Sequence, residues 1–270
     1  MAAFPVESPV DSVSSRFTVE QVLGRGASAT VYEASFRDDP ARRLAIKTLK
    51  LKTLFEKEVG ILSDINHVNI IHMVLEPEQI GDTGYIYLDL HQKETMSTLR
   101  GCFDAMDIWN INLEVSSALQ YLHQQRIYHR DVKPSNILRG FKGEAILADF
   151  GLAERLPTTT DTVDHWKTTP GFEGPEAWDF EPMCPFKLDM FSYGVTLVVM
   201  IFGNYPDPGE NVMEMSDHCS AVQEPIRRII FHLLHEDPDQ RWSATQLVLD
   251  CLQNGYEAVS HFESNPSPLS

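Results

Sequence analysis

The chain predicts an α+β fold in two parts: a small antiparallel β lobe carrying one helix, and a larger, mostly helical lobe. Three observations carry this. The first third reads as short apolar strands punctuated by turn residues. Beyond Leu90 the apolar residues recur at helical spacing instead. With 43% hydrophobic and 23% charged residues over 270 positions, the composition is that of a packed globular protein. The junction is expected near residues 89–93, and a cleft between two such lobes is a usual place for a ligand.

In chain order, residues 17–23 read as a strand leading into a glycine-containing turn. Residues 30–36 and 44–49 supply two more strands. A helix is expected over 54–65, where Val59, Leu62 and Ile65 are spaced for one face. Strand candidates follow at 71–76 and 85–90. The helix over 108–124 is marked by Ile111, Val115, Ala118, Leu119 and Leu122. Further helices are expected over 187–201, 221–235 and 244–254. Residues 1–15 and 257–270 mix Pro, Ser and Val without period and read as flexible ends. The folded domain is therefore expected to span 16–256, its first lobe 16–90 and its second 91–256. No internal repeat is visible.

The net charge of −17 argues against a nucleic-acid-binding face, which needs clustered Lys and Arg. Cys102, Cys184, Cys219 and Cys251 are scattered without a C-x-x-C pair, so reduced thiols are expected rather than a disulfide framework or zinc site. The N-terminus shows no basic region followed by an apolar core, so no signal peptide is read. The longest apolar run, 195–202, is shorter than the roughly 20 residues a membrane span requires. An intracellular protein, cytoplasmic or nuclear, is the expectation.

The chemistry concentrates in His129-Arg130-Asp131-Val132-Lys133-Pro134-Ser135-Asn136. This loop offers a carboxylate at Asp131, an ammonium at Lys133 and an amide oxygen at Asn136. Phosphoryl transfer needs those parts: an acceptor for a hydroxyl proton, a positive charge for the phosphate, and a hard oxygen ligand for a metal. Further on, Asp149-Phe150-Gly151 follows an apolar strand. Asp149 can supply the main carboxylate to a metal, with Phe150 an apolar anchor.

The loop followed by Asp-Phe-Gly resembles the catalytic loop and metal-binding motif of the protein kinase family. Other stretches agree. Gly24-Arg25-Gly26-Ala27-Ser28-Ala29-Thr30-Val31 is similar to the family's Gly-rich loop, with Ala29 in place of the third glycine. Leu44-Ala45-Ile46-Lys47 resembles its lysine strand, and Thr168-Thr169-Pro170-Gly171-Phe172-Glu173-Gly174-Pro175-Glu176 the end of its activation segment. The resemblance covers roughly residues 17–254.

It implies an ATP cleft between the lobes, with ATP and Mg2+ bound and proteins as substrates. Asp131 and Lys133 would be catalytic, and Asn136 and Asp149 would hold Mg2+. Leu23, Gly24, Gly26, Val31, Ala45, Lys47 and Leu138 would line the ATP site. The partner of Lys47 would be Glu58, with Glu56 the runner-up. The short spacing between Lys47 and Glu58 implies a shortened connection and first turn of the helix, and an activating partner or upstream kinase could seat the helix. Glu176 would pair with Arg241, and Asp189 would brace the catalytic loop.

Lys133 and Thr169 point to the serine/threonine class, with Thr168 and Thr169 on the substrate side. Arg130 would be a cation available to a phosphorylated activation segment, whose candidate acceptors are Thr158, Thr159, Thr160, Thr162 and Thr168. The rival reading is a pseudokinase or scaffold that keeps the fold without transfer. Its usual sign is loss of Lys47, Asp131 or Asp149, and all three are present.

Overall fold

Alternation along three strands builds the core of the first unit. The computed structural model describes residues 13–158, 160–179, 181–204, 222 and 224–264, with side chains as far as Gly255. Strands β1 (Phe17–Arg25), β2 (Ala29–Phe36) and β3 (Arg43–Leu49) pair antiparallel in succession. The sheet continues through β5 (Thr83–Leu88) to β4 (Glu78–Ile80), giving the order β1-β2-β3-β5-β4. Tyr32 and Ala34 on β2, Leu44 and Ile46 on β3, and Tyr85 and Tyr87 on β5 share one face because strand side chains alternate. They pack with Val13 and Phe17. The helix α1 (Lys52–Leu62) docks through Phe55, which lies over Gly84 of β5. A Cβ at Gly84 would stand 2.4 Å from the Phe55 ring, so only glycine admits this contact.

The strand expected over 71–76 is not formed. Only Met73 bridges to Leu88, with the Val74 N–H donating to the Tyr87 carbonyl. The ladder resumes at Glu78↔Tyr85 in a different register, which extrapolates to Leu75 rather than Met73 opposite Leu88. Pro77 lies in the interruption; it has no N–H to donate and restricts the residue before it.

The second unit comprises His67–Ile70 and everything from Gln92 onward. Helix α2 (Ala105–Gln124) starts at a capping box in which Asp104 and Asp107 each accept the other's backbone N–H. Its buried face carries Ile108, Ile111, Val115, Ala118, Leu119 and Leu122. Two short antiparallel ladders follow, β6 (Ile127–Tyr128) with β9 (Glu154–Arg155) and β7 (Ile137–Arg139) with β8 (Ala145–Leu147).

Helix α3 (Pro185–Phe202) opens on a proline at its first turn and ends at Gly203 in the left-handed conformation, φ 79°. By length and composition it could cross a membrane, with a mean hydropathy of 1.4, and 83% of it is buried inside the protein. It is thus longer than the apolar run at 195–202, and it serves here as a core helix.

Helix α4 (Ile226–Leu233) is shorter than the expected 221–235 because Pro225 sets its start; residues 221 and 223 lie outside the described residues. Helix α5 (Ala244–Ser264) runs past the expected end at 254 and into the segment read as a tail. The sequence offers no proline before Pro266 to stop it. Residues 1–12, Thr159, Cys219 and 265–270 also lie outside the described residues. The thiols of Cys102, Cys184 and Cys251 are free.

Candidate active site

In the first unit, the β1–β2 hairpin places Gly24 opposite Val31 and Arg25 opposite Thr30, and the Gly26 N–H donates to the Ala29 carbonyl at 2.9 Å. A Cβ at Gly24 would meet nothing within 4 Å, and at Gly26 only the Ala29 carbonyl at 3.7 Å. Neither glycine has the left-handed φ that would require it. Packing and backbone therefore do not explain these two glycines.

Val31 stands opposite Lys47 across β2 and β3, and Ala45 opposite Leu88 across β3 and β5; Leu23 is half-buried. Lys47 Nζ lies 2.6 Å from Glu58 Oε1, with side-chain exposures of 8% and 2%. Glu56 instead faces solvent beside Lys52, 3.5 Å away on the same helix. The short spacing is absorbed in the connection: β3 ends at Leu49 and α1 begins at Lys52, with Leu51 accepting the first helical hydrogen bonds.

In the second unit, Asp189 of α3 fixes the loop at 129–136. Its carboxylate accepts the N–H groups of His129 at 2.7 Å and Arg130 at 2.8 Å, and lies 3.1 Å from His123 Nε2. These bonds hold Arg130 at φ 69°, a conformation few non-glycine residues adopt. Arg126, at φ 59°, and Asp149, at φ 63°, share this conformation. His129 is fully buried, and burial holds its imidazole below the usual value despite the nearby charges of Asp189, Asp131 and Asp149. Its Nδ1 accepts the Asp131 N–H at 3.3 Å, so the ring proton sits on Nε2 and is donated to the Ala148 carbonyl at 3.1 Å. The Phe150 ring packs edge-on to it at 5.0 Å.

The Asp131 carboxylate is the centre of this half. It is buried, at 6% exposure. Oδ2 accepts Asn136 Nδ2 at 2.8 Å and lies 2.8 Å from Lys133 Nζ; Oδ1 accepts the Thr169 hydroxyl at 2.6 Å. Lys133 Nζ also donates to that hydroxyl at 2.7 Å. Thr168, its neighbour, points elsewhere: its hydroxyl is buried with no hydrogen-bond partner among the described residues. Leu138 is half-buried on β7, opposite Ile146.

The donor set fits Mg2+. Both N–H groups of Asn136 are spent on Asp131, on its carbonyl and carboxylate oxygens, which leaves an amide oxygen for a cation. Asp149 is exposed. One carboxylate and one amide oxygen, completed by substrate phosphates, is the ligation this ion favours. Among the described residues no group of three His, Cys, Asp or Glu is placed to hold a metal by itself.

Farther from Asp131, Glu176 and Arg241 form a two-pronged pair at 2.5 and 2.9 Å. Arg130 departs from expectation. Its guanidinium lies 2.8 Å from Glu154 and donates to the Lys167 carbonyl at 3.2 Å, so it is already engaged. The sequence reading missed Glu154, and with it Tyr128, Trp166, Arg126 and His123. These residues matter through contacts that no local motif marks.

The model of the protein kinase domain matches residues 17–251. The chain belongs to the protein kinase family. Within that family it resembles the serine/threonine-protein kinase fused of Drosophila melanogaster, 30% identical over 86% of this chain and 31% of that protein. It is also similar to the wall-associated receptor kinase-like 18 of Arabidopsis thaliana, 28% identical over 91% of this chain and 33% of that one. The serine/threonine-protein kinase STK11 of Gallus gallus is 28% identical over 86% of this chain and 58% of that protein. This kinase chain therefore spans about a third of the first two relatives' length and over half of the third. It has the β-sheet unit and the helical unit of the kinase fold.

Proposed function

We propose that the chain transfers the γ-phosphate of ATP to serine and threonine hydroxyls of proteins, with Asp131 as the base. The observation that carries this is the triangle of Asp131, Lys133 and Thr169. There a buried carboxylate already accepts a hydroxyl at 2.6 Å, with an ammonium beside both groups. A substrate hydroxyl presented to Asp131 has its proton drawn off as it attacks, and Lys133 offsets the negative charge of the moving phosphate. Asn136 and Asp149 would hold Mg2+, which neutralises phosphate charge when bound. Lys47, held by Glu58, would grip the phosphates. Leu23, Val31, Ala45 and Leu138 would contact the base, and Thr168 and Thr169 would border the substrate. We take residues 16–256 as the functional domain. An intracellular location rests on the free thiols and on the use of ATP; relatives named as receptor kinases make it a point for fractionation to decide.

The test is incubation with Mg-ATP and a peptide library, beside Lys47→Met. Phosphate on Ser and Thr but not Tyr is expected. If nucleotide binds but incorporation does not exceed that of the variant, the pseudokinase reading takes over.

Open space at Gly24 and Gly26 supports close approach of phosphates to the hairpin backbone. Gly26→Ala should therefore leave the melting temperature unchanged or slightly higher, since such a change is worth up to about 1 kcal/mol where the backbone tolerates it. The KM for ATP should rise severalfold. A variant that melts early and binds ATP normally would show that the glycine serves folding instead.

A further inference from the structure

The activation segment is held by an acid of its own. Glu154 on β9 sits with Oε1 2.8 Å from Arg130 Nη1 and accepts the Tyr128 hydroxyl on Oε2 at 2.8 Å. The Arg130 guanidinium lies 5.8 Å over the Trp166 ring, which stacks on Tyr128 at 6.0 Å. Through Nε it also donates to the Lys167 carbonyl at 3.2 Å. One arginine thus ties the start of the segment, at Glu154, to its end, at Trp166 and Lys167. Two residues on, Thr169 donates to Asp131. The backbone of that arginine is in turn fixed by Asp189.

The neighbouring cation is treated alike. Arg126 lies 3.0 Å from Asp161, donates to the Pro157 carbonyl at 2.6 Å, and also donates to the Thr160 carbonyl. Both arginines flanking β6 are therefore engaged by carboxylates and carbonyls of the segment itself, though Arg126 Nε is buried without a hydrogen-bond partner among the described residues. A phosphate added to Thr158, Thr160 or Thr162 would meet arginines already paired with Glu154 and Asp161.

We propose that Glu154 is a positioning residue that takes the place of an activating phosphate. Through Arg130 it seats residues 154–169 and so sets Thr169 against Asp131 with no modification. The proposal rests on the kinase reading above. Charge is its essential property: an amide in its place could still meet the Tyr128 hydroxyl, which accepts as well as donates, but would leave the Arg130 guanidinium without its anion.

The experiment uses the full chain, dephosphorylated and verified by intact mass. Unmodified wild type should transfer phosphate at full rate from the first turnover, with no gain after treatment by an upstream kinase. Glu154→Gln should lower kcat on the order of tenfold, as misplacement of a catalytic group does, leave the KM for ATP unchanged, and speed amide exchange over 163–169. Glu154→Asp should recover part of the loss, and adding Glu154→Gln to Arg130→Gln should cost little more.

An unmodified wild type that is inactive until phosphorylated would overturn the proposal, and that arm needs no variant to fold. So would a Glu154→Gln variant with unchanged kcat and exchange. If no form of the protein transfers phosphate, the kinase reading has failed by itself. The exchange over 163–169 then still decides whether Glu154 seats the segment: faster exchange in the variant upholds that role, and unchanged exchange refutes it.

Discussion

Asp131→Asn should leave a folded protein that binds ATP with an unchanged KM and turns over about 10²- to 10⁴-fold more slowly, the usual worth of a positioned general base. The hydrogen bonds explain why the fold survives. In the native loop Oδ2 faces two donors, Asn136 Nδ2 and Lys133 Nζ, and Oδ1 faces the Thr169 hydroxyl. An asparagine oriented with its oxygen toward Asn136 and Lys133 keeps both contacts. Its amide then meets Thr169, whose hydroxyl can accept as well as donate. What is lost is the basic oxygen and one negative charge beside Lys133. Steady-state kinetics together with a thermal melt separates the two effects, and wild-type turnover in this variant would falsify the role given to Asp131.

Removing Glu176 should have the largest effect on stability. Arg241 has no exposed side-chain surface, while Glu176 retains 12%. The guanidinium spans the carboxylate, the carbonyls of Lys187 at 2.9 Å and His235 at 3.0 Å, and the face of Phe191 at 4.8 Å. Glu176→Ala strands that charge inside the protein, which typically costs about 3–5 kcal/mol. For a chain of this size that corresponds to a fall in melting temperature of roughly 10 °C. Glu176→Gln should fall between, since the amide oxygen still accepts one N–H. Urea melts of the three proteins check the order; a loss under about 1 kcal/mol for Glu176→Ala would mean that the carbonyls suffice.

What was legible in the sequence was local. Asp131, Lys133 and Asn136 share one loop, and a short chain segment brings them together whatever surrounds it. The Lys47–Glu58 pair was readable through the resemblance of residues 44–47 and 58–70 to stretches of the kinase family. Choosing Glu58 over Glu56 followed from the resemblance, by counting back from His67-Val68-Asn69-Ile70; helical geometry added that the two cannot face the same way.

The contacts of Glu154 were not legible. They depend on β9 lying against β6, and two strands of two residues each give no periodic signal. An arginine beside a catalytic aspartate reads as available until its acid partner, distant in sequence, is seen. The edge of the sheet failed for a similar reason: the residues at 71–76 are apolar enough for a strand, but strand formation depends on register along β5, which composition does not carry.

The short stretch His67–Ile70 has a consequence for dissecting the molecule. It precedes most of the first unit's last strands, yet it belongs to the second unit. There Asn69 accepts the Leu147 N–H at 2.8 Å and donates to the Ala145 carbonyl at 3.0 Å, and Ile70 bridges to Leu147. A fragment starting at Gln92 would leave those β8 groups without the protein partners they have now, although the cut falls at an apparently natural seam. The chain threads back and forth before it settles, so no single scission yields two whole pieces. Recovering the helical unit alone would require grafting these four residues back onto it.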